Sequence, residues 1–297
     1  MKNKLIVWIA GFGLVSGIAG CSSIPTVFTD IDVPGAVSTH PRGINNASSA
    51  GSASIVGYYV DKAGNINGFQ RDPQSSFATL VIDEAIEVKV FDINNSGPGE
   101  IVGTVRDAFG QRAFLLDGGI ISFPGNPPIP TAYGINDGGL IVGTFSDMAG
   151  RNYGFTFPPG PGGPISVFND LSTQTFGINN TRRMTGTLQE ATGEFSAFYL
   201  SGPDIASAER IVIPGATRSD AYGINDADAP DEVRHVGTYT KDGIDRGFIF
   251  TEARGVETFN VPRAKHTRAF GINDAGEIVG EYVDSFDHTH GFLGTFR

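Results

Sequence analysis

The stretch GINDAGEIVGEYVD, Gly271 to Asp284, is written with small changes six times along the chain. GINN begins at Gly43 and Gly177, GIND at Gly134 and Gly223, and a variant, DINN, at Asp92. The shared isoleucines are Ile44, Ile93, Ile135, Ile178, Ile224 and Ile272, spaced by 49, 42, 43, 46 and 48 residues. Each copy continues in the same way. A turn leads to IVGYY at Ile55, IVGTV at Ile101, IVGTF at Ile141, MTGTL at Met184, HVGTY at His235 or IVGEY at Ile278. A second turn is followed by an aromatic segment such as NGFQR, YGFTF or HGFLG, and then by a fourth apolar stretch such as ISVFND or ETFNVP.

Four short apolar segments in about 45 residues match one four-stranded propeller blade. A parallel β-helix needs shorter coils, and helical repeats need a 3.6-residue apolar period that these segments lack. The 41 glycines and 22 phenylalanines in 297 residues agree, because they favour many short strands joined by tight turns. D-x-x-G recurs between the second and third segments, at Asp61 to Gly64, Asp107 to Gly110 and Asp147 to Gly150. There Asp caps the turn and Gly accepts a left-handed conformation; Asp284 and Asp287 fill the same slots in the last copy. Asn45, Asn94, Asn136, Asn179, Asn225 and Asn273 are each expected to cap their own hairpin.

The ends of the chain decide how such a fold closes. The last copy stops after its third segment, at GFLGTFR, and the segment it lacks stands at the other end, as Val27 to Val33. The expected fold is an all-β, six-bladed β-propeller of four-stranded antiparallel blades, one domain over residues 27–297. Its N-terminal strand completes the last blade, which leaves no open sheet edge.

Residues 1–20 have the pattern of a signal peptide, with Lys2 and Lys4 before a short apolar run broken by glycine. Ile18-Ala19-Gly20-Cys21 resembles the lipobox of bacterial lipoproteins. That resemblance implies cleavage before Cys21, acylation of its thiol, a tether over residues 21–26 and a membrane as partner through the acyl chain. Ser22 in place of Asp resembles the sorting pattern of outer-membrane lipoproteins. Cys21 is the only cysteine, so the exported domain has no disulfide and no thiol nucleophile. Loss of Lys2 and Lys4 takes the formal charge from −11 to −13, which argues against a nucleic-acid partner.

The repeat as a whole runs F-x-x-x-x-P-G-A, then G-I-N-x-x-G-x-I-V-G-x-Y-x-D-x-x-G-x-x-H-G-F. It resembles the extracellular repeat family called HAF repeats, over essentially everything after residue 26. The last copy, Phe259 to Phe292, matches best, with His290 in the histidine slot. Asn67, Arg112, Tyr153, Ser196 and Arg246 stand there in the other copies. The resemblance implies an exported location and a repetitive fold, and brings no catalytic motif with it.

Letters shared by every copy serve needs that every blade has, so function is sought where the copies differ. Three residues before the repeated Gly stand His40, Lys89, Thr131, Gln174, Asp220 and Arg268, expected near one mouth of the central channel. The slot just before the Gly is aromatic in Phe91, Tyr133, Phe176, Tyr222 and Phe270, but is Arg42 in the first copy. Glu281 stands where the other copies have Thr or Tyr. The ligand-binding candidates are therefore His40, Arg42, Lys89, Gln174, Asp220, Arg268 and Glu281, facing a carbohydrate, a peptide or a protein. His288 and His290 have no carboxylate paired with them by motif, and the acids of Asp226 to Glu232 lack the calcium-hand pattern, so neither a metal nor a cofactor is expected. G-x-S-x-G, H-E-x-x-H and the phosphate-cradling glycine loops are absent. These features favour a monomeric, lipid-anchored binding scaffold in the cell envelope, with no catalytic residue. The alternative is a hydrolase or lyase, lactonase-like, whose site lies in the channel and needs carboxylates, Asn or His converging there.

Overall fold

The apolar segments form strands, and the Asn and D-x-x-G turns reverse the chain between them. The computed structural model describes residues 24–47, 53–121, 129–158, 166–167, 172–201, 208–227 and 232–296; the signal segment and Cys21 lie outside them. After β1 (Val27–Asp30), the first sheet is β2 (Ser38–Ile44), β3 (Ile55–Val60), β4 (Ile66–Arg71) and β5 (Phe77–Leu80). The second is β6 (Glu87–Ile93), β7 (Ile101–Asp107), β8 (Gly110–Leu115) and β9 (Gly119–Ile120). The third is β10 (Thr131–Ile135), β11 (Ile141–Ser146), β12 (Asn152–Phe157) and β13 (Ser166–Val167). A sheet of eight strands follows. It holds β14 (Thr173–Ile178), β15 (Met184–Gln189), β16 (Phe195–Leu200) and β17 (Ala208–Arg210), then β18 (Arg218–Ile224), β19 (His235–Lys241), β20 (Ile244–Thr251) and β21 (Gly255–Phe259). Among the described residues the ladder between its two halves is one parallel pair, Phe195 with Arg218. The last sheet is β22 (His266–Ile272), β23 (Ile278–Val283) and β24 (Thr289–Thr295), with β1 antiparallel to β24 on its outer edge.

The architecture is all-β and propeller-like. The innermost strands β2, β6, β10, β14, β18 and β22 pack each against the next, and β22 packs against β2. Among the described residues the outermost strands are short: β9 and β13 have two residues each and β17 three. An outermost strand has a ladder on one side only, so little holds it once its turn ends. The same applies to β1, expected over Val27 to Val33. It pairs as far as Asp30, adds one bond from Ile31 N to Gly291 O at 2.9 Å, and then turns at Pro34 and Gly35. Pro34 has no N–H to give a ladder, and Gly35 sits at φ +82°.

One residue of each copy anchors the core. Phe69, Phe114, Phe155, Phe198, Phe248 and Phe292, all from third strands, are at most 2% exposed. In five copies, from Phe114 with Gly103 to Phe292 with Gly280, the ring packs against the glycine of the second strand beside it. A Cβ on Gly143 would sit 2.5 Å from the Phe155 ring and 2.1 Å from the Thr131 carbonyl oxygen, so no larger residue fits. Burying each ring stabilises the fold by roughly 1.5–3 kcal/mol. The most faithfully repeated letters are thus packing letters.

In all six innermost strands the register slips at the residue before the repeated Gly or, in β6, before Asp92. A bulge of this kind re-aims its extra side chain. Here it turns Arg42, Phe91, Tyr133, Phe176, Tyr222 and Phe270 together around the channel.

His235 is the exception in the core. It occupies the slot held elsewhere by Ile55, Ile101, Ile141, Met184 and Ile278, fully buried against Tyr199 and Phe250, and neither ring nitrogen has a hydrogen-bond partner. Burial, and secondarily Arg183, push its pKa down to about 3. The folded state therefore holds fewer protons here than the unfolded chain. The neutral ring's contribution is complete above pH 6.5 and is lost as pH falls towards 3. His235→Ile should flatten that loss: in melts at pH 7 and pH 5, the variant gains on the order of 2 kcal/mol relative to the parent at the lower pH.

Candidate functional site

The channel is layered, because its lining comes from consecutive residues of the six innermost strands. At one mouth lies the belt of five aromatic rings and Arg42. Phe91 and Tyr133 have ring centres 4.8 Å apart, Tyr133 and Phe176 4.9 Å, Phe176 and Tyr222 4.8 Å, and Tyr222 and Phe270 5.0 Å. Arg42 continues the belt with its guanidinium 3.7 Å above Phe270. Next comes the repeated glycine, where the innermost strands touch: a Cβ on Gly134 would lie 2.5 Å from the Phe176 carbonyl oxygen. The six isoleucines follow, and then the asparagines at the opposite mouth.

The asparagines do what the sequence implies and one thing more. In every copy Oδ1 accepts a backbone N–H of its own hairpin, from Ser54, Glu100, Leu140, Arg183, Arg234 and Glu277 in turn. In four copies Nδ2 also donates to the carbonyl of the next copy's asparagine, as from Asn94 to Asn136 O at 3.0 Å. The following residue completes a circuit. The backbone N–H of Asn46, Asn95, Asp137, Asn180, Asp226 and Asp274 each donates to the next side-chain Oδ1, at 2.6–2.9 Å, and Asp274 donates back to Asn46. The other carboxylate oxygens of Asp137, Asp226 and Asp274 accept amide N–H from neighbouring asparagines. Burial and the neighbouring Asp274 and Asp137 raise the Asp226 carboxyl, against the lowering effect of the Asn180 N–H. These acids are spent on joining turn to turn.

At the aromatic mouth the copies differ, and four candidates meet. Glu281, its side chain 6% exposed, accepts from Arg42 Nη1 at 2.9 Å and His40 Nδ1 at 2.8 Å on one oxygen, and from Arg268 Nη1 at 3.0 Å on the other. Burial alone would raise its carboxyl; Arg42, His40 and Arg268 outweigh that and hold it well below the usual carboxylate range. Arg42 Nη2 donates to Tyr58 Oη at 2.9 Å, and the His40 ring stacks on Tyr58. Arg268 also donates through Nε to Asp245 Oδ2 at 2.7 Å. Lys89 stands at the edge of the group, 5.8 Å from the Tyr58 ring. Asp220 is buried one repeat away, held by two bonds from Arg218. Gln174 is half-buried opposite Thr187, apart from the rest.

Three residues of this region are not among the sequence candidates. Asp245 is the second residue of the third strand β20, at a slot filled differently in every copy, so no local signal marks it. Tyr58 does carry a signal, since it shares the slot of Glu281, where the other four copies have Thr. Asp92 carries one too, because it replaces glycine in the repeated tripeptide. Its carboxyl sits at the waist of the channel and accepts from Ile135 N at 3.1 Å. Burial pushes it up to about 7, the backbone N–H groups of Ile135 and Ile93 offsetting only part of that. The two spaces beside it, about 40 and 50 Å³, have room for water but fall far below the roughly 300–1,000 Å³ of a ligand pocket. A cleft of about 590 Å³ does lie on the asparagine face, lined by Glu232, Arg234, Arg254 and Glu257 among others.

The raised Asp92 carboxyl predicts a pH effect on stability. The protonated form is favoured on folding, so its contribution is complete below about pH 4 and is lost as pH rises through 7. Asp92→Asn should melt with the parent at pH 4 and above it at pH 8, the gap reaching roughly 4 kcal/mol. Parallel melting curves for the two proteins across this range would contradict it.

No protein-family model and no curated protein matches the chain. Solved structures match it in shape. It is similar to AofleA from Arthrobotrys oligospora, with a TM-score of 0.54 at 10% identity over 91% of this chain and 87% of that one. It is similar to a puromycin hydrolase, with a TM-score of 0.53 at 12% identity over 92% of this chain, although the match spans only 56% of the hydrolase. A putative TolB from Agrobacterium tumefaciens gives 0.50 at 13% identity over 86% and 90%. At these identities the likeness is one of fold alone, and the fold is propeller-like.

Proposed function

We propose that the chain is a six-bladed propeller closed by β1, anchored to the cell envelope through lipid on Cys21, which acts as a monomeric scaffold binding a protein partner on the face around Arg42. Three features support six blades. The turn-to-turn circuit returns to Asn46 after six bonds, the innermost strands pack in the same cycle, and the eight-stranded sheet is two blades joined by one residue pair. The β1–β24 ladder supports closure. Export and lipidation rest on Ile18 to Cys21 and on the resemblance to HAF repeats, with sorting by Ser22 to the outer membrane.

One observation carries the binding role. Among the described residues, the nine exposed large apolar side chains all sit on the face that bears the aromatic mouth. Phe109, Met148 and Phe286 tip the turns between second and third strands, and Val37, Val81 and Val212 lie on the connections into innermost strands. Met148 is 93% exposed and Phe109 81%. Large apolar side chains exposed together on one face mark a protein-binding surface, and the net charge of the exported chain disfavours nucleic acid. The tether agrees with this direction. Val27 pairs with Thr295 at the asparagine end of the last sheet, so the chain enters β1 from the opposite face and leaves the aromatic face turned away from the lipid.

Photo-crosslinking residues placed at Met148 and Phe286, in cells producing the chain, should trap a macromolecule, while the same residue at Ala253 and Arg254 on the opposite face should not. Crosslinks confined to Ala253 and Arg254 would move the site to the 590 Å³ cleft and overturn the assignment. Closure has its own test. Deleting Val27 to Val33 should lower the melting temperature far more than deleting residues 22–26, whose Ile24 packs on the last sheet and whose Thr26 N–H donates to Thr295 O; equal temperatures would defeat it.

A further inference from the structure

The seam between the two ends of the chain gathers a set of side chains that no other repeat assembles among the described residues. Asp284 opens the turn between β23 and β24, and its Oδ1 accepts the N–H of Phe286 and His288, as the D-x-x-G aspartates do elsewhere. Its Oδ2 faces two imidazoles, with His288 Nδ1 at 3.5 Å and His290 Nε2 at 3.6 Å. All three ligand atoms lie within 4.8 Å of one another. The other imidazole nitrogen of His290 is 2.7 Å from Asp32 Oδ2, and Asp32 is fixed in turn by the Gly291 N–H at 3.1 Å. Tyr282 stacks on the His290 ring.

The equivalent turns act as internal controls. Where the first copy has Asn65, its amide donates to Asp61 Oδ2 at 2.9 Å; where the third has Arg151 and Tyr153, they donate to Asp147 Oδ2 at 2.9 and 3.2 Å. Those slots close by direct hydrogen bonds. In the last copy the gap stays open at 3.5 and 3.6 Å, beyond the usual range of roughly 2.7–3.2 Å for an N–H···O bond. Zinc bonds of about 2.0–2.2 Å to nitrogen and carboxylate oxygen require tetrahedral edges of about 3.3–3.5 Å, which is close to the two spacings from Asp284 Oδ2. Asp32 stands where an orienting carboxylate stands behind a metal-bound histidine: with Nδ1–H donating to Asp32, the lone pair of Nε2 points to the shared space.

We propose that Asp284, His288 and His290 bind a divalent transition ion of the zinc type, with Asp32 orienting His290. The ion takes three protein ligands and keeps a position open to solvent on the side of His288, whose side chain is 67% exposed. Because Asp32 follows β1 and the ligands lie in β24 and the turn before it, the bound ion also ties the first strand to the last. The motif alone hides this site, since the carboxylate behind His290 comes from Asp32, 258 residues away. The proposal stands apart from the partner-binding reading, which crosslinking tests separately.

The test is a zinc chloride titration of the untagged chain after chelator treatment, following melting temperature and stoichiometry. The expected result is one ion per chain and a melting temperature raised by several degrees at saturation. His288→Ala removes an exposed side chain, so it should keep the zinc-free melting temperature and lose the zinc response. Asp32→Asn should bind zinc roughly 10–100-fold more weakly, as for other orienting carboxylates. An absent rise in the parent, or an equal rise in the parent and His288→Ala, overturns the site; unchanged affinity in Asp32→Asn overturns the orienting role.

Discussion

The bond from the Asn95 backbone N–H to Asp137 Oδ1, 2.7 Å long, is the step on which the ring depends. The sheets around the channel have almost no ladder between them, so something other than strand pairing must fix each against the next. A short side chain with an oxygen two bonds from Cβ meets the need, and only Asn and Asp offer one that also sits comfortably in a tight turn. Each such bond contributes about 1 kcal/mol net, yet it recurs at every step and fixes the same angle each time. The glycine at the waist serves the same end. With Gly134 lacking a Cβ, the innermost strands approach until the Phe176 carbonyl fills the space, and the turns come within reach.

Repetition is what makes this much legible in the sequence. A ring of equivalent units writes its packing into the chain once per unit, so Phe155, Gly143 and Asn136 stand out by recurrence. Their second partners do not. That Asn94 caps its own hairpin follows from local chemistry, but its amide reaching Asn136 O is a contact between units, and spacing alone says nothing of it. His40, Arg42, Arg268 and Glu281 are visible as departures from the repeat, whereas Asp245, which completes the bonding of Arg268, falls where the copies vary freely. The outer strands mislead for a related reason. The apolar stretch around Ile120 reads as a full strand, whereas among the described residues β9 spans Gly119 and Ile120, with one further bond from Ile121 N to Ala113 O.

The two mouths of the channel differ in charge, although the strands that build them are copies. Asp137, Asp226 and Asp274 give the asparagine mouth three carboxylates with amide partners and no cation among its described lining residues. The aromatic mouth brings Arg42, Arg268, Arg218 and Lys89 against Glu281, Asp245 and Asp220. In a narrow, low-dielectric passage such an asymmetry is concentrated, not averaged away. Asp92 lies between the two, which explains why its carboxyl feels Asp137 as well as burial. The channel is therefore polarised along its axis by side chains that depart from the repeat.

Those departures gather at one place, between the first copy and the last. Along the rest of the belt, from Phe91 to Phe270, an aromatic ring meets an aromatic ring, and such contacts are interchangeable. At this junction Arg42 lies over Phe270 and must find Glu281, because a buried charge left without its partner costs about 3–5 kcal/mol. In the proposed ring, closure one unit early would set Arg42 beside the copy that carries Thr238 where Glu281 should be, and the guanidinium would be stranded. In that proposed ring the shared letters would serve every junction alike, and Arg42 and Glu281 would single out the junction of the first unit with the last. His40 and Arg268, which fill two further acceptor sites on Glu281, strengthen that choice by leaving the carboxylate little to gain from water.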